Sequence, residues 1–199
     1  MKIKLIVISL LLILILQCGD DKKNNIDDLS NLEVDNTKLA SSIVDSKLGI
    51  KFKPPIKWKA KEVEFSKKVE NFSKNQNSSE TFFYNPVYLF FDDSTKSLLS
   101  VGYIESSDST LSITKKMDSY KKLINDKYHS YNLKVKEFDY LNIPFTQITY
   151  ERGNFISNKI LFIANKMIIS FDFTVLKDYY NSEIKFIKTT IGSIELLKN

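Results

Sequence analysis

Cysteine and histidine are nearly absent from this 199-residue chain, which contains one of each. If Cys18, at the end of an apolar leader, is modified there, no thiol remains for a disulfide, a zinc–thiolate site or a cysteine nucleophile. His129 lies between Tyr128 and Tyr131 at the predicted end of a helix, and no serine carries the nucleophile-elbow pattern of a Ser/His/acid relay. We therefore interpret His129 as an exposed helix-end residue that complements the helix dipole.

Glycine is also scarce, and its five copies form no phosphate-binding loop. The break Asp92-Asp93 lacks the spaced oxygen ligands and the glycine of a calcium loop, so we expect a solvated hairpin turn. The net charge of +5 falls to +3 without Lys2 and Lys4, which is too mild for a nucleic-acid footprint. We expect no catalytic group, no metal, no cofactor and no nucleic-acid partner.

The N terminus carries an export signal. Lys2 and Lys4 precede a run from Leu5 to Leu16 that is apolar except at Ser9, and this run is shorter than the roughly 20 residues of a membrane-spanning helix. The segment 15–18 resembles a bacterial lipobox, although Gln17 departs from the usual small residue before the cysteine. We predict a signal peptide over residues 1–17 and lipidation of Cys18; an uncleaved anchor is the alternative.

The rest of the chain divides into a tether and one domain. A lipid on Cys18 would hold the protein on a bacterial membrane of the cell envelope, with the domain outside the cytoplasm. Residues 18–42 are rich in Asp, Asn, Lys and Ser, which predicts a flexible tether. Residues 43–199 are of ordinary single-domain size and contain no repeat or second linker.

Period-two alternation predicts several strands. Ile169, Phe171, Phe173 and Val175 alternate with polar residues, as in a half-buried strand. Further strands are predicted at 87–91, 98–104, 133–140, 143–150, from 155 and at 160–164. Short polar breaks such as Asn165-Lys166 separate them and predict antiparallel hairpins.

Three segments have helical spacing instead. Their apolar residues are Phe65, Val69 and Phe72; Ile113, Met117, Tyr120, Ile124 and Tyr128 after a Ser112 cap; and Tyr180, Ile184, Ile187 and Ile191. Amphipathic helices must cover a sheet face, so the predicted fold is α+β, an antiparallel sheet flanked by helices in an α/β/α sandwich.

Two segments resemble the PsbP-like superfamily. The opening segment Leu48–Trp58 looks like that family's Gly, alternating strand, Pro and Trp. The closing order is also similar: a meander ending at 166–171, a polar break with Tyr180, and a helix before Ser193-Ile194. The turn 140–143 departs from the family, whose members often have glycine there. The resemblance covers roughly residues 43–198 and implies a fold. Members range from an extrinsic photosystem II subunit to small bacterial lipoproteins, and no binding residue is carried over.

Proline and tryptophan close the opening segment. Pro54 and Pro55 lack N–H donors and end strand pairing. Trp58 is expected to pack in the core at one end of the sheet; stacking on a ligand is the alternative.

Two surface features suggest a binding role. Five lysines occupy odd positions and would line one side of an extended stretch: Lys51, Lys53, Lys57, Lys59 and Lys61. They would either protect a strand edge from aggregation or dock an acidic partner or anionic headgroups. Six aromatic residues between 82 and 91 would be buried by helices on both faces or would line a lipid or peptide groove.

These observations favour a membrane-anchored, non-enzymatic lipoprotein with a binding or accessory role through contacts with a protein of the cell envelope. The alternative is a carrier of a small apolar ligand or lipid, held between the sheet and a helix.

Overall fold

The computed structural model describes residue 29, residues 32–61 and residues 81–198. Cys18, the apolar leader and the predicted helix around Phe65, Val69 and Phe72 lie outside these residues. Within the described ranges, no helix is long and apolar enough to cross a membrane.

Within the part of the chain that the structure describes, ten strands form two antiparallel sheets. The small sheet has the order β1-β2-β10, and the main sheet has the order β3-β4-β5-β9-β8-β7-β6. The strands are β1 (Ile43–Asp45), β2 (Ile50–Phe52), β3 (Lys59–Ala60), β4 (Phe82–Phe91), β5 (Leu98–Ser106), β6 (Lys134–Tyr140), β7 (Ile143–Arg152), β8 (Phe155–Ala164), β9 (Met167–Leu176) and β10 (Glu195–Leu196). The strand β9, predicted as half-buried, therefore lies at the centre of the main sheet.

Strands β6 to β9 form the predicted meander. Its turns place Leu141 and Asn142, Gly153, and Asn165 and Lys166 at positive φ. Two-residue loops with positive φ match the right-handed twist of paired strands, which is why they join hairpins well. The turn Leu141-Asn142 adopts this conformation without glycine, at φ values of 50° and 61°.

Of the described helices, one covers each face of the main sheet. Helix α1 (Ile113–Tyr128) begins after Ser112, whose side chain accepts a hydrogen bond from the Lys115 amide, as predicted. Its buried residues Met117, Tyr120 and Ile124 pack on a sheet face that we call the α1 face. Helix α2 (Tyr180–Gly192) and the small sheet cover the opposite α2 face, where the larger core lies. The predicted α+β sandwich is confirmed, and the small sheet adds to the α2 layer.

The segment before β1 packs against the domain. Leu29 and Leu39 are buried, and Thr189 of α2 donates a hydrogen bond to the Glu33 carbonyl at 3.1 Å. Asp35 caps a 3-10 turn at Asn36–Lys38. The described part of the predicted flexible tether is therefore ordered, because scattered leucines in a polar segment can still fill sites on a preformed core.

Strand β4 is longer than predicted and contains a β-bulge. It begins at Phe82 rather than at Val87, and its register with β5 shifts between Pro86 and Tyr88. The extra residue exchanges the faces of the strand, since side chains alternate along it. Phe82 consequently packs on the α1 face, whereas Tyr88 and Phe90 contact Phe52 on the α2 face.

Candidate functional site

A strip of polar residues crosses the α1 face at the centre of the main sheet. Ile169, Phe171 and Phe173 of β9 fill the core on the α2 face, so the intervening residues of β9 face α1. Register places Asp172 between Ser100 of β5 and Lys159 of β8, and Thr174 beside Ser157. We call this set the polar strip: Ser100, Ser157, Lys159, Ser170, Asp172 and Thr174.

Lys159 and Asp172 form an ion pair in the polar strip. Lys159 Nζ lies 2.6 Å from Asp172 Oδ2 and 3.3 Å from Ser170 Oγ, and its side chain is 11% exposed. Ser170 Oγ donates to the other carboxylate oxygen of Asp172. The ammonium also lies 5.3 Å from the ring centroid of Tyr84 and 5.9 Å from that of Tyr120. Each charge therefore has a partner within the fold.

Burial and neighbouring charges change the ionisation of this cluster. Burial opposes the charge on Lys159, but the carboxylate of Asp172 and the nearby tyrosine hydroxyls together outweigh it and raise the pKa of Lys159 well above its usual range. Burial raises the pKa of Tyr84 and Tyr120, and it raises the pKa of Tyr150 to about 12. Lys159 consequently stays protonated at neutral pH and does not act as an amine nucleophile, which needs a lowered pKa.

An open groove continues from the polar strip towards the turn between β7 and β8. Its volume is about 740 Å³, and it is lined by Tyr150, Arg152, Gly153, Asn154, Phe155, Ser157 and Thr174. Tyr150 stacks on Tyr128 at the end of α1, with ring centroids 4.3 Å apart. Phe155 is 41% exposed. Aromatic walls with a few polar groups are typical of small-molecule sites.

The five lysines of the predicted stripe do not lie on one extended strand. Lys51 on β2 pairs with Glu195 at 3.1 Å, and Lys53 donates to Asn36. The chain then turns after Pro54 and Pro55 and enters the other sheet, because neither proline can continue the pairing of β2.

The remaining three lysines, Lys57, Lys59 and Lys61, stay together at the edge of the main sheet, and we call them the basic edge. All three are exposed. Lys57 lies over the Phe186 ring, and Lys61 lies 3.6 Å from Asp93. Lysines at an edge strand discourage pairing with other chains, and they also offer a docking surface.

Trp58 packs in the core, as expected. It is 3% exposed, lies edge-on to Phe173 and donates a hydrogen bond to Glu183 Oε2 at 3.1 Å. Burial raises the pKa of Glu183, although the bond from Trp58 opposes this. Glu183 thus serves as an acceptor that orients the indole.

Asp92 and His129 have structural partners. Asp92 is 4% exposed and accepts from the amide and hydroxyl of Ser94 in an Asx turn. Asp93 and Ser94 are exposed, so the predicted hairpin turn is solvated except at Asp92. His129 is exposed after α1, and its Nδ1 lies 2.9 Å from the Asp126 carbonyl. Among the described residues, no group of three His, Cys, Asp or Glu could hold a metal ion.

Sequence reasoning missed the polar strip and the groove. The alternation around Phe171 predicts a half-buried strand, but β9 is central and α1 lies above its polar residues Ser170, Asp172 and Thr174. One signal was present: Lys159 directly precedes the apolar run that begins at Ile160. A lysine there requires a partner, and only the strand order identifies Asp172.

Comparisons with known proteins assign no activity to this chain. No protein-family model and no curated protein match the chain. The chain is similar to the solution structure of cyanobacterial PsbP (CyanoP) from Synechocystis sp. PCC 6803. The match has 17% identity and a TM-score of 0.49, and it covers 90% of this chain and 97% of that one.

Proposed function

We propose that this protein is a non-catalytic lipoprotein of the bacterial cell envelope, anchored through Cys18, whose domain acts by binding another protein. The observation that carries this proposal is the basic edge. Lys57, Lys59 and Lys61 are exposed together at the edge of the main sheet, where an acidic partner surface could pair with them. The buried charges, in contrast, are used within the fold: Lys159 binds Asp172, and Glu183 accepts from Trp58.

In-cell cross-linking of the full chain followed by mass spectrometry tests this proposal. We expect one dominant protein partner. The double change Lys57→Glu and Lys59→Glu should reduce its capture, since it replaces two exposed positive charges by negative ones. The matched control is Lys115→Glu with Lys122→Glu, which makes the same charge change on the exposed side of α1.

The anchor is tested in the same cells with Cys18→Ala, which should release the protein from the membrane fraction. Equal capture by the Lys57/Lys59 variant and its control would contradict docking at the basic edge. Unchanged membrane partition of Cys18→Ala would contradict lipid anchoring.

The groove beside the polar strip favours a second candidate function, a carrier for a small ligand. Its aromatic lining and its volume of about 740 Å³ fall within the range of small-molecule pockets. Co-purification of a metabolite or lipid with the full chain, in place of a protein partner, would favour this second candidate.

A further inference from the structure

Two aromatic residues line the groove: Tyr150 at its side and the exposed Phe155 at its outer end. Tyr150 is held by stacking on Tyr128, with an interplanar angle of 14°. At the outer end Phe155 is 41% exposed, which leaves much of its ring uncovered beside the turn at Gly153. A planar or branched apolar group would bury area against both rings. Gly153 adds no obstruction, because even an added Cβ there would meet no atom within 4 Å.

A guanidinium stands at the outer rim of this groove. Arg152 is the chain's one arginine, and it is exposed. It pairs with Phe155 across β7 and β8, so both lie at the same end of the groove. No described residue forms an ion pair or hydrogen bond with its side chain. Arginine presents several N–H groups in a plane, a geometry that matches a carboxylate through two parallel hydrogen bonds.

Nearby acids do not neutralise Arg152. Glu151 projects from the opposite face of β7, because side chains alternate along a strand. Its carboxylate lies 2.6 Å from Lys177 Nζ and accepts from Asn132. At the inner end of the groove, Asp172 is paired with Lys159. Among the described residues that line the groove, Arg152 therefore carries the uncompensated charge.

Hydroxyl groups form the floor between the two ends. Ser157 and Thr174 are register partners on β8 and β9, and both line the groove. Ser157 is also the register partner of Tyr150 on β7. The floor can thus accept or donate hydrogen bonds without adding charge.

We propose that this groove is a binding site for a small organic carboxylate with an aromatic or branched apolar body. The carboxylate pairs with Arg152, and the body lies against Phe155 and Tyr150. This site is separate from the basic edge, so the inference goes beyond protein docking. For the second candidate function, the carrier, it changes the expected ligand from an apolar molecule to an organic anion with an apolar body.

Saturation-transfer difference NMR with benzoate tests the site, using the full chain in nanodiscs and empty nanodiscs as the blank. We expect saturable binding with a dissociation constant of about 1 mM, reasonable for so small a ligand. Benzamide, which has the same ring and no charge, should bind at least about tenfold more weakly.

Two variants with matched controls assign the contacts. Arg152→Gln should weaken benzoate binding about tenfold. Lys166→Gln, which removes one positive charge from the turn at the opposite end of the sheet, should leave it unchanged. Phe155→Ala should weaken binding about three- to tenfold, whereas Phe83→Ala, at a ring of similar exposure (39%) outside the groove, should not.

Absence of saturable binding below about 10 mM would overturn the proposal. Equal binding of benzamide, or full affinity in Arg152→Gln, would do the same. These outcomes are independent of partner capture, so the carboxylate site and the docking function can fail separately.

Discussion

Removing the Asp172 carboxylate is the sharpest test of the polar strip. Asp172→Ala leaves the Lys159 ammonium in place, with the Ser170 hydroxyl at 3.3 Å and the faces of Tyr84 and Tyr120 as its remaining partners. Breaking a buried ion pair in this way costs about 3–5 kcal/mol, because the surviving charge is desolvated without compensation. The Asp172 side chain is 24% exposed, so water reaches the pair and we expect the lower end, about 3 kcal/mol.

The chain contains its own reporter for this measurement. Trp58 is the single tryptophan, is buried, and contacts Phe173 of the same central strand. Urea unfolding of the full chain in detergent micelles, followed by Trp58 fluorescence, gives the free energy of unfolding. A loss of about 3 kcal/mol should also lower the melting temperature by roughly 6–12 °C for a domain of this size.

A double-mutant cycle separates charge from packing. Lys159→Met combined with Asp172→Ala removes both charges, so we expect the double variant to recover most of the loss. Asp118→Ala breaks the exposed pair with Lys121 and should cost less than about 1 kcal/mol. A loss below about 1 kcal/mol for Asp172→Ala, or strictly additive effects of the two changes at 159 and 172, would refute the buried-pair argument.

Three further predictions follow from the other buried groups and turns. Burial raises the pKa of Glu183, so the folded state favours its protonated form and loses stability as pH rises. The Glu183→Gln variant should therefore unfold at a higher urea concentration than wild type at pH 7. If the variant is still more stable than wild type below pH 4.5, the pKa of the unfolded glutamate, the ionisation of Glu183 is not the cause. The pKa of Tyr150 is raised to about 12, so stability should decline between pH 10 and 12; Tyr150→Phe should make that decline shallower, and an unchanged slope would argue against it. Leu141 has a φ of 50°, a conformation that asparagine adopts more easily than leucine. Leu141→Asn should therefore increase the free energy of unfolding by about 1 kcal/mol and raise the melting temperature by a few degrees. An unchanged melting temperature would show that leucine is not strained in this turn.

Gly102 on β5 lies opposite the bulge of β4, where the backbones approach too closely for a side chain. A Cβ on Gly102 would lie 2.2 Å from the Asn85 carbonyl oxygen, so Gly102→Ala must displace the β4 backbone. We expect a loss of at least about 2 kcal/mol in the urea titration. Gly153→Ala, which meets no neighbour but keeps a φ of 57°, should cost only about 1 kcal/mol. Equal losses would show that the contact with Asn85 is not the cause.

Local pattern was sufficient for most of the secondary structure. The alternation around Phe171, the turn Asn165-Lys166 and the helical spacing after Ser112 each depend on neighbours in the chain, and the structure confirms them. Strand β4 was misjudged because a bulge changes which residues share a face, and no residue type announces a bulge reliably.

The candidate site could not be predicted from the sequence, because it is formed by contacts between residues that are distant along the chain. The lysine stripe assumed one extended strand, but the chain changes sheets between β2 and β3, which divides the stripe. Trp58 was placed correctly in the core, since a lone buried indole is the common case, but its acceptor Glu183 lies 125 positions away.

The sequence by itself determined the local elements of this protein, their antiparallel hairpins and the α+β class, because periodicity and turn chemistry are short-range properties. It also predicts the lipid anchor at Cys18. Only the tertiary structure decided that β9 is central, that Lys159 meets Asp172, and that Arg152 lies beside Phe155 with no ion-pair partner among the described residues. The order of strands in a sheet is set by long-range packing, and a charge becomes buried, paired or available for a ligand only when that order brings its neighbours together.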